Sequence, residues 1–382
     1  MRRNKVVGVG AVALTLGLAL SACGTTEDGD GGGDAGGGDA ACDVSLAFFG
    51  PETGPAAGLG APIIDGAQLA IDQYNEDAEC EVGYEKFDSQ GNPDEAPNLA
   101  PEVASDEAII GVVGPAFSGE SAAAGPIFAD AGVPTITPSA TNPTLAENGW
   151  DTFHRALGND ATQGPAAAKY IQETIGSEAT FVIDDASEYG AGLAGIVEDS
   201  LGDVVVGTDT IQAGDTDFSA TVTKAVDSKA DTIFFGGYYA EATILIGQLR
   251  DGGFDGQFVV ADGVKDPAYL EAGDDAEGTI ITCPCIPDTD PAVAEFAEAF
   301  EAEFGSAPGT YAAEAYDAAN IFLDGIAEGI DNREDMLEFV NEYDEAGVTK
   351  QLAFDETGEP TDVHVYSYTV EGGEIVPEGE IE

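Results

Sequence analysis

From residue 43 onward the chain alternates short apolar runs with longer amphipathic stretches, and this alternation constrains the fold more than any other feature. In a first series, the predicted strands lie at 44–50, 81–88, 108–114 and 133–139, and the predicted helices lie at 61–75 and about 120–131. Strands and helices that alternate at this spacing are typical of parallel sheets with helices on both faces. We therefore predict an α/β fold.

A second series follows the same pattern. Its predicted helices lie at 162–175, 189–200, 217–228 and 240–251, and its predicted strands at 179–185, 204–211, 231–237 and 257–263. Three helical stretches come next, at 291–304, 310–328 and 333–343, and then two strand-like runs, at 351–355 and 363–370. The two series predict two similar lobes, and the final strands indicate that the chain returns to an earlier sheet.

The N-terminal region has the features of an export signal. Arg2, Arg3 and Lys5 precede an apolar run, 6–20, that is too short for a spanning helix, and the sequence LSAC follows at 20–23. We expect residues 1–22 to be a lipoprotein signal peptide and Cys23 to be lipidated; the alternative is an ordinary cleaved signal with an incidental cysteine. The Gly- and Asp-rich segment 23–41 is predicted to be a disordered tether.

Four cysteines remain after Cys23: Cys42, Cys80, Cys283 and Cys285. If the runs that begin at Cys42 and Cys80 are adjacent parallel strands, a Cys42–Cys80 disulfide is plausible in an oxidising compartment. The CPC sequence could close a small Cys283–Cys285 ring. A metal site is the competing interpretation, but neither histidine of the chain lies near a cysteine in the sequence.

The charge balance excludes several kinds of partner. The chain has 12 Lys and Arg against 73 Asp and Glu, a formal net charge of −61. Nucleic-acid binding depends on clustered basic residues, and electrostatic docking on anionic lipid does too. We therefore expect no nucleic-acid partner, and membrane attachment only through the lipid.

Enzyme motifs are absent from the sequence. It contains no G-x-x-x-x-G-K-[ST] phosphate loop and no G-x-S-x-G nucleophile elbow. It has only two histidines that could take part in histidine-based catalysis. We expect neither catalysis nor a cofactor.

Polar loops at the carboxyl ends of predicted strands are the candidate binding elements, because open α/β sheets bind ligands there. The first series offers Ser118, Ser139 and Thr141 close to helix starts that favour anions, and the second offers Tyr189, Tyr238 and Asp262. Taken singly, the hydroxyl residues could be helix caps, the tyrosines interface packing, and Asp262-Gly263 a turn. Together they predict a site for a zwitterion.

Six strings give the chain a family resemblance: FFGPETGPAA (48–57), VPTITPSAT (133–141), QGPAAAKYI (163–171), EYGAGLA (188–194), FFGGY (234–238) and ADGV (261–264). In this order they resemble the leucine/isoleucine/valine-binding proteins of ABC importers, which have the type I periplasmic binding fold. The resemblance implies two doubly wound parallel-sheet lobes joined by three crossovers, here near 158–163, 282–287 and 349–354. The implied lobes are 42–160 with 285–351, and 161–284 with 352–382.

The resemblance also implies roles for single residues. Ser118 would bind the carboxylate of an amino acid, the Ser139 carbonyl would bind its ammonium, and Thr141 would contact one or the other. Tyr189 and Tyr238 would cover the ligand, and Asp262 would neutralise the ammonium. Further implied contacts are Ala140, Phe117, which stands where well-known members have a disulfide cysteine, and Leu59, which stands where leucine binders often have an aromatic residue.

The implied function is that of a monomeric, lipid-anchored protein on the outer face of the bacterial cytoplasmic membrane. It would deliver an amino acid, branched-chain by the resemblance, to ABC permease subunits. Binders of amides, urea or aromatic acids are the alternative within the same class. A sensory ligand-binding protein is the alternative outside it.

Overall fold

The computed structural model describes residues 40–78 and 80–381, with only the backbone described for 40–42. The signal peptide, the lipidated Cys23 and nearly all of the predicted tether lie outside the described residues. Strand β1 begins at Ala40, so the last two residues of the predicted 23–41 tether belong to a strand instead. None of the helices in the described ranges is long and apolar enough to cross a bilayer.

The first series builds a five-stranded parallel sheet with the order β2-β1-β3-β4-β5. Its elements are β1 (Ala40–Gly50), α1 (Ala57–Asp77), β2 (Cys80–Asp88), α2 (Ala96–Ser105), β3 (Ile109–Val113), α3 (Ser118–Ala131), β4 (Thr135–Thr137) and β5 (Phe153–Arg155). Strand β5 was not predicted, because three residues that include His and Arg do not form a visible apolar run.

Strand β1 shows how helices cover both faces of this sheet. Successive side chains of a strand point to opposite faces. Leu46 and Phe48 accordingly belong to the cluster that contains Ile63 of α1, whereas Ala47 and Phe49 pack with α2 and α3. The ring of Phe49 meets that of Phe128 edge to face at 5.5 Å.

The second series builds most of a seven-stranded sheet with the order β14-β13-β10-β9-β8-β6-β7. Its elements are α4 (Asp160–Lys169), β6 (Thr180–Asp184), α5 (Glu188–Leu201), β7 (Val205–Thr210), α6 (Ser219–Ser228), β8 (Thr232–Gly236), α7 (Tyr239–Asp251), β9 (Gln257–Val260) and β10 (Ile280–Cys283). The predicted helix 162–175 is α-helical only to Lys169 and continues as a π-helix over Tyr170–Ile175.

The C-terminal block serves both sheets. Its elements are α8 (Ala294–Phe304), α9 (Ala312–Ala327), α10 (Arg333–Asn341), β11 (Asp344–Ala346), β12 (Gln351–Ala353), β13 (Tyr366–Glu371) and β14 (Glu374–Glu380). Helix α9 packs on α1, and β13 and β14 extend the second sheet in antiparallel orientation. The predicted strand 351–355 joins neither sheet, because β12 pairs with β11 in a separate hairpin.

The three passages of the chain between the lobes lie side by side. A Cβ built on Gly158 would lie 3.3 Å from Cβ of Pro284 and 3.5 Å from Cβ of Val363. The Arg155 amide donates to the Gly358 carbonyl (3.0 Å), so residues on both sides of the predicted third passage, 349–354, are in contact with the first sheet. The predicted lobe boundaries stay a proposal. The contact between Arg155 and Gly358 argues for moving the boundary predicted between residues 351 and 352 to a position beyond Glu359.

The two predicted disulfides differ in what the structure describes. Cys283 and Cys285 are joined by a disulfide at the second passage. Strands β1 and β2 are adjacent and parallel, as the Cys42–Cys80 pairing requires. The side chain of Cys42 lies outside the described residues, so that pairing stays a prediction. Within the described ranges, no group of three or more His, Cys, Asp or Glu residues could hold a metal ion.

Candidate ligand-binding site

Six of the nine predicted site residues line one cavity between the lobes. Phe117, Ser118 and Ser139 come from the first lobe and Tyr189, Tyr238 and Asp262 from the second; Gly263 and Tyr311 complete the lining. The free volume is about 10 Å³, which is space for about one water molecule. The lobes are therefore closed, and an amino acid would need them to open.

The first-lobe wall is formed by the start of α3 and the loop after β4. Ser118 opens α3, where the first backbone N–H groups have no partner within the helix. Its Oγ accepts from the Asn142 amide (3.2 Å), and the Ser139 hydroxyl donates to the Ala116 carbonyl (2.6 Å). A serine-rich helix start of this kind can bind an anion such as a carboxylate.

Glu120 is a buried carboxylate behind this wall. It accepts from the Phe117 amide (3.0 Å) and from the Ser89 hydroxyl. Burial raises the pKa of Glu120 to about 7, although both hydrogen bonds act in the opposite direction. Its role is to hold the Phe117–Ser118 corner in place.

Asp262 is the centre of the second-lobe wall. Its Oδ1 accepts from Gln163 Nε2 (2.7 Å) and from the Tyr189 hydroxyl (2.7 Å), and its Oδ2 accepts from the Tyr311 hydroxyl (2.5 Å). Burial raises the pKa of Asp262, and these three hydrogen bonds partly offset the rise. The sequence places Asp262 in a loop at the carboxyl end of a strand, where an exposed side chain is expected. It is 1% exposed, because lobe closure covers it.

Three aromatic rings separate the cavity from a groove of about 540 Å³ between the lobes. The Tyr238 ring lies 4.9 Å from that of Phe117 in the other lobe and 5.3 Å from that of Tyr189. Phe117 and Tyr238 line both spaces, and Gln90 and Gly91 lie on the groove side. The rings can therefore cover a ligand from the solvent side.

Three predicted residues do not line the cavity: Ala140, Thr141 and Leu59. The Ala140 amide donates to Thr137 Oγ1 (2.9 Å), and the buried Thr141 Oγ1 has no hydrogen-bond partner in the part of the chain that the structure describes. Leu59 is fully buried in the core, because α1 begins at Ala57 and turns this side chain inward. The structure therefore gives no support for Leu59 as a ligand contact.

Sequence reasoning missed Gln163 and Tyr311, although both bond to Asp262. Gln163 stands in one of the strings that carry the resemblance, but nothing in the string gave it a role. Tyr311 precedes α9 and has a φ of 70°, a conformation that is uncommon for a bulky residue. Strain of this kind is often found at functional sites. No sequence pattern indicates that a tyrosine will adopt it.

Arg155, also missed, ties the loop after β4 to a distant part of the chain. Its guanidinium is fully buried, pairs with both carboxylate oxygens of Glu359 (3.0 and 2.8 Å) and donates to the Asn142 carbonyl (3.0 Å). It also donates to the Ala140 carbonyl. One buried ion pair thus fixes the backbone on either side of Thr141.

Comparison with known proteins agrees with this arrangement. The family model described as periplasmic binding protein matches residues 43–374. The leucine-specific-binding protein of Salmonella typhimurium is 35% identical over 277 residues, which cover 70% of this chain and 74% of that protein. The leucine-, isoleucine-, valine-, threonine- and alanine-binding protein of Pseudomonas aeruginosa is 32% identical over 339 residues, which cover 87% and 90%.

Among solved structures, the branched-chain amino acid transporter substrate-binding protein of Streptococcus pneumoniae, in complex with isoleucine, has a TM-score of 0.81 at 29% identity. The match covers 88% of this chain and 98% of that one. The predicted two-lobed α/β fold is confirmed, and so is the expectation of a binding protein instead of an enzyme. The chain belongs to the periplasmic binding protein family.

Proposed function

We propose that this protein binds a branched-chain α-amino acid outside the cytoplasm and delivers it to the permease of an ABC importer. The observation that carries the proposal is the buried Asp262 carboxylate, which shares a cavity with the helix start at Ser118 and with Ser139. An α-amino acid has an ammonium that can pair with the Asp262 carboxylate and a carboxylate that can bind at the helix start. The relatives described above bind such ligands by name.

The same arrangement argues against the alternative ligands. An amide, urea or an aromatic acid has no ammonium, so it would leave the Asp262 carboxylate buried without a cation. Burying an uncompensated charge is costly. We therefore rank the binding of these ligands below the binding of an amino acid. We also rank a purely sensory role below amino-acid transport.

A thermal-unfolding screen with matched ligands tests the proposal. L-Leucine is compared with 4-methylpentanoate, which lacks the ammonium, isoamylamine, which lacks the carboxylate, and D-leucine. Benzoate and urea represent the alternative class. A ligand at a hundredfold excess over its Kd should stabilise the folded protein by about 2.7 kcal/mol. We expect a higher Tm with L-leucine, L-isoleucine or L-valine only; a response to 4-methylpentanoate or benzoate equal to that with leucine would contradict the proposal.

We propose further that Cys23 carries the lipid that anchors the protein to the outer face of the cytoplasmic membrane, and that the protein acts as a monomer without a cofactor. The support is the sequence LSAC at 20–23 after a basic and apolar leader. A Cys23→Ser variant should be depleted from the membrane fraction and recovered in the soluble fraction. Equal membrane retention of the variant would argue against the anchor.

A further inference from the structure

Helix α1 begins beside the groove between the lobes without a cap of its own. Its N-cap residue, Ala56, lines that groove and makes no side-chain hydrogen bond, and no acidic residue lies in the first turn of the helix. The first N–H groups of a helix have no partner within the helix, and its N-terminus favours negative charge. An acceptor and a negative charge from another part of the chain would therefore stabilise this helix start.

The second lobe supplies both groups. The Gly58 amide of α1 donates to the hydroxyl of Tyr239, the first residue of α7 (3.2 Å). The carboxylate of Asp266 lies against the same glycine. A Cβ built on Gly58 would overlap Oδ2 of Asp266 and would lie 2.9 Å from its Cγ and 3.0 Å from its Oδ1. The acidic side chain therefore occupies the space that a side chain at position 58 would need.

Asp266 is fixed from within its own lobe. It comes six residues after the end of β9, its Oδ1 accepts from the Ala268 amide (2.7 Å), and it is 6% exposed. Aspartate has a short side chain, and this hydrogen bond leaves it little freedom to turn away. A group added at position 58 would thus meet an obstacle that cannot easily yield. The obstacle is present only in the closed form, because the two residues belong to different lobes.

The segment that ends at Asp266 makes two further contacts with the first lobe. The Tyr311 hydroxyl donates to the Asp262 carboxylate, and the Thr310 hydroxyl donates to the Lys265 carbonyl. Asp266 extends this row of contacts from the ligand cavity to the start of α1. Closure that brings Asp262 to the cavity therefore brings Asp266 onto the start of α1 at the same time.

We propose that Gly58, Tyr239 and Asp266 form a latch, through which the second lobe caps α1 of the first lobe when the lobes close, and that closure requires a glycine at position 58. The latch positions the lobes without touching the ligand, since none of the three residues lines the cavity. Its effect on ligand affinity rests on the proposed function, because a ligand that binds both lobes gains from whatever stabilises the closed form.

Calorimetric titration with L-leucine measures what the latch contributes to binding. Gly58→Ala should bind about ten- to hundredfold more weakly, because the added methyl group overlaps the Asp266 carboxylate in the closed form. Its Tm without ligand should not fall, because alanine favours a helix more than glycine does and the two groups are apart in the open form. Tyr239→Phe removes the acceptor of the Gly58 amide and should weaken binding about two- to tenfold.

A double variant gives the sharpest result. The three atoms nearest to the built Cβ all belong to the Asp266 carboxylate, and Asp266→Ala removes all of them. Asp266→Ala should therefore weaken binding in the wild-type background and strengthen it in the Gly58→Ala background. Such a change of sign is expected only for residues that interact. Equal weakening in both backgrounds would refute the latch.

Gly195→Ala is the matched control. Gly195 also lies inside a helix, α5, but a Cβ at this position would have no heavy atom of the described residues within 4 Å beyond its own stretch of helix. This variant should bind L-leucine as the wild-type protein does. A loss of affinity equal to that of Gly58→Ala would show that the effect comes from replacing a helical glycine and not from the latch.

A double-cysteine variant tests the contact without a ligand. A cysteine Sγ at position 266 would lie near the place of the Asp266 Cγ, 2.9 Å from a Cβ at position 58, which is a separation that a disulfide can span. Oxidation of Gly58→Cys with Asp266→Cys should join the two positions, as peptide mass spectrometry detects, and should reduce the radius of gyration of the ligand-free protein. Gly195→Cys with Asp266→Cys should form no such cross-link.

The outcomes separate the latch from the proposed function. If L-leucine, L-isoleucine and L-valine all fail to bind the wild-type protein, the proposed function fails, and the cross-link alone decides whether the latch exists. If one of them binds Gly58→Ala as tightly as it binds the wild-type protein, the latch is refuted and the proposed function stands. Absence of the cross-link refutes the latch whether or not an amino acid binds.

Discussion

At the scale of single residues, Asp262 links the two lobes. Tyr311 reaches it from the first lobe, and Tyr189 reaches it from the second. The same carboxylate is therefore the proposed anchor of the ammonium and the acceptor that holds the closed form together. A turn residue, the simpler explanation of Asp262-Gly263, would not need a side chain that accepts three hydrogen bonds.

Asp262→Ala should weaken binding of the best amino-acid ligand by about 2–5 kcal/mol, or roughly thirty- to several-thousandfold. The ammonium would lose its principal anion, and two tyrosine hydroxyls would lose their acceptor. Asp262→Asn keeps the shape and one acceptor, so it should lose less than the alanine variant. Calorimetric titration of folded variants measures both effects. Near-normal affinity combined with a lower Tm would instead support the turn-residue explanation.

Individual residues also show which parts of the site can be read from a sequence. Asp262 and Tyr189 were found because they follow strands at the carboxyl edge of a sheet, which is a local property. The burial of Asp262 could not be predicted, because it depends on the approach of the other lobe. Leu59 was selected by resemblance alone. Its direction depends on where α1 begins, and helix ends are poorly defined by sequence.

At the scale of elements, the loop after β4 is held from outside by the Arg155–Glu359 pair. Glu359 lies in the turn that follows β12, and Arg155 ends β5. Continuous apolar runs such as β3 and β8 were predicted from the sequence, whereas β5 was not. The contact between β5 and this turn joins residues about 200 positions apart, and no local pattern encodes it.

Removing one partner of this buried pair should destabilise the protein by about 3–5 kcal/mol, because the other charge remains buried alone. Glu359→Leu therefore lowers the free energy of unfolding. The double variant Arg155→Met with Glu359→Leu should recover much of that stability, since apolar residues can replace a buried pair. It should not recover ligand affinity, because the Ala140 and Asn142 carbonyls lose their donor. Urea unfolding and calorimetric titration measure the two properties separately.

The exposed pair Lys224–Asp209 is the control for this experiment. Its lysine is 58% exposed, and exposed pairs contribute about 0–1 kcal/mol. Lys224→Met should therefore leave both stability and affinity almost unchanged. Full recovery of affinity in the Arg155/Glu359 double variant would show that the pair does not position the loop.

At the scale of the whole molecule, hydrogen bonds that involve side chains and backbone join the two lobes in the closed form. The Gly58 amide donates to the Tyr239 hydroxyl (3.2 Å), Asn142 Nδ2 donates to the Glu188 carbonyl (2.8 Å), and Tyr311 binds Asp262. The three passages of the chain lie together near Gly158, so the lobes can separate about one region. A ligand bound to both lobes would favour the closed form.

Small-angle scattering should therefore show a smaller radius of gyration when a ligand binds. Without ligand we expect the open form to dominate, because a ligand that contacts both lobes is what favours the closed form. The cavity of about 10 Å³ admits no amino acid until the lobes open. The ligand chosen by the thermal screen is added at saturation, and D-leucine serves as the inactive control. Scattering curves that superpose with and without a bound ligand would contradict closure.

The net charge of −61 is a property of the whole molecule that no single contact explains. Exposed carboxylates repel one another, and salt shortens the range of that repulsion from about 10 Å at 0.1 M to about 3 Å at 1 M. We expect the Tm to be higher in 2 M KCl than in 0.05 M KCl. Sulfate must be compared separately, because it strengthens apolar burial at any net charge.

A variant on α10 tests whether repulsion is the cause. Glu338 and Glu342 are exposed, four residues apart, near the C-terminal end of the helix. Like charges at this spacing destabilise a helix, and negative charge at its C-terminus does so too. Glu338→Gln with Glu342→Gln should raise the Tm in 0.05 M KCl and reduce the gain on going to 2 M. An equal gain in variant and wild type would show that chloride salt acts through something other than the repulsion at these sites, and equal Tm values at both salt concentrations would refute charge repulsion as a limit on stability.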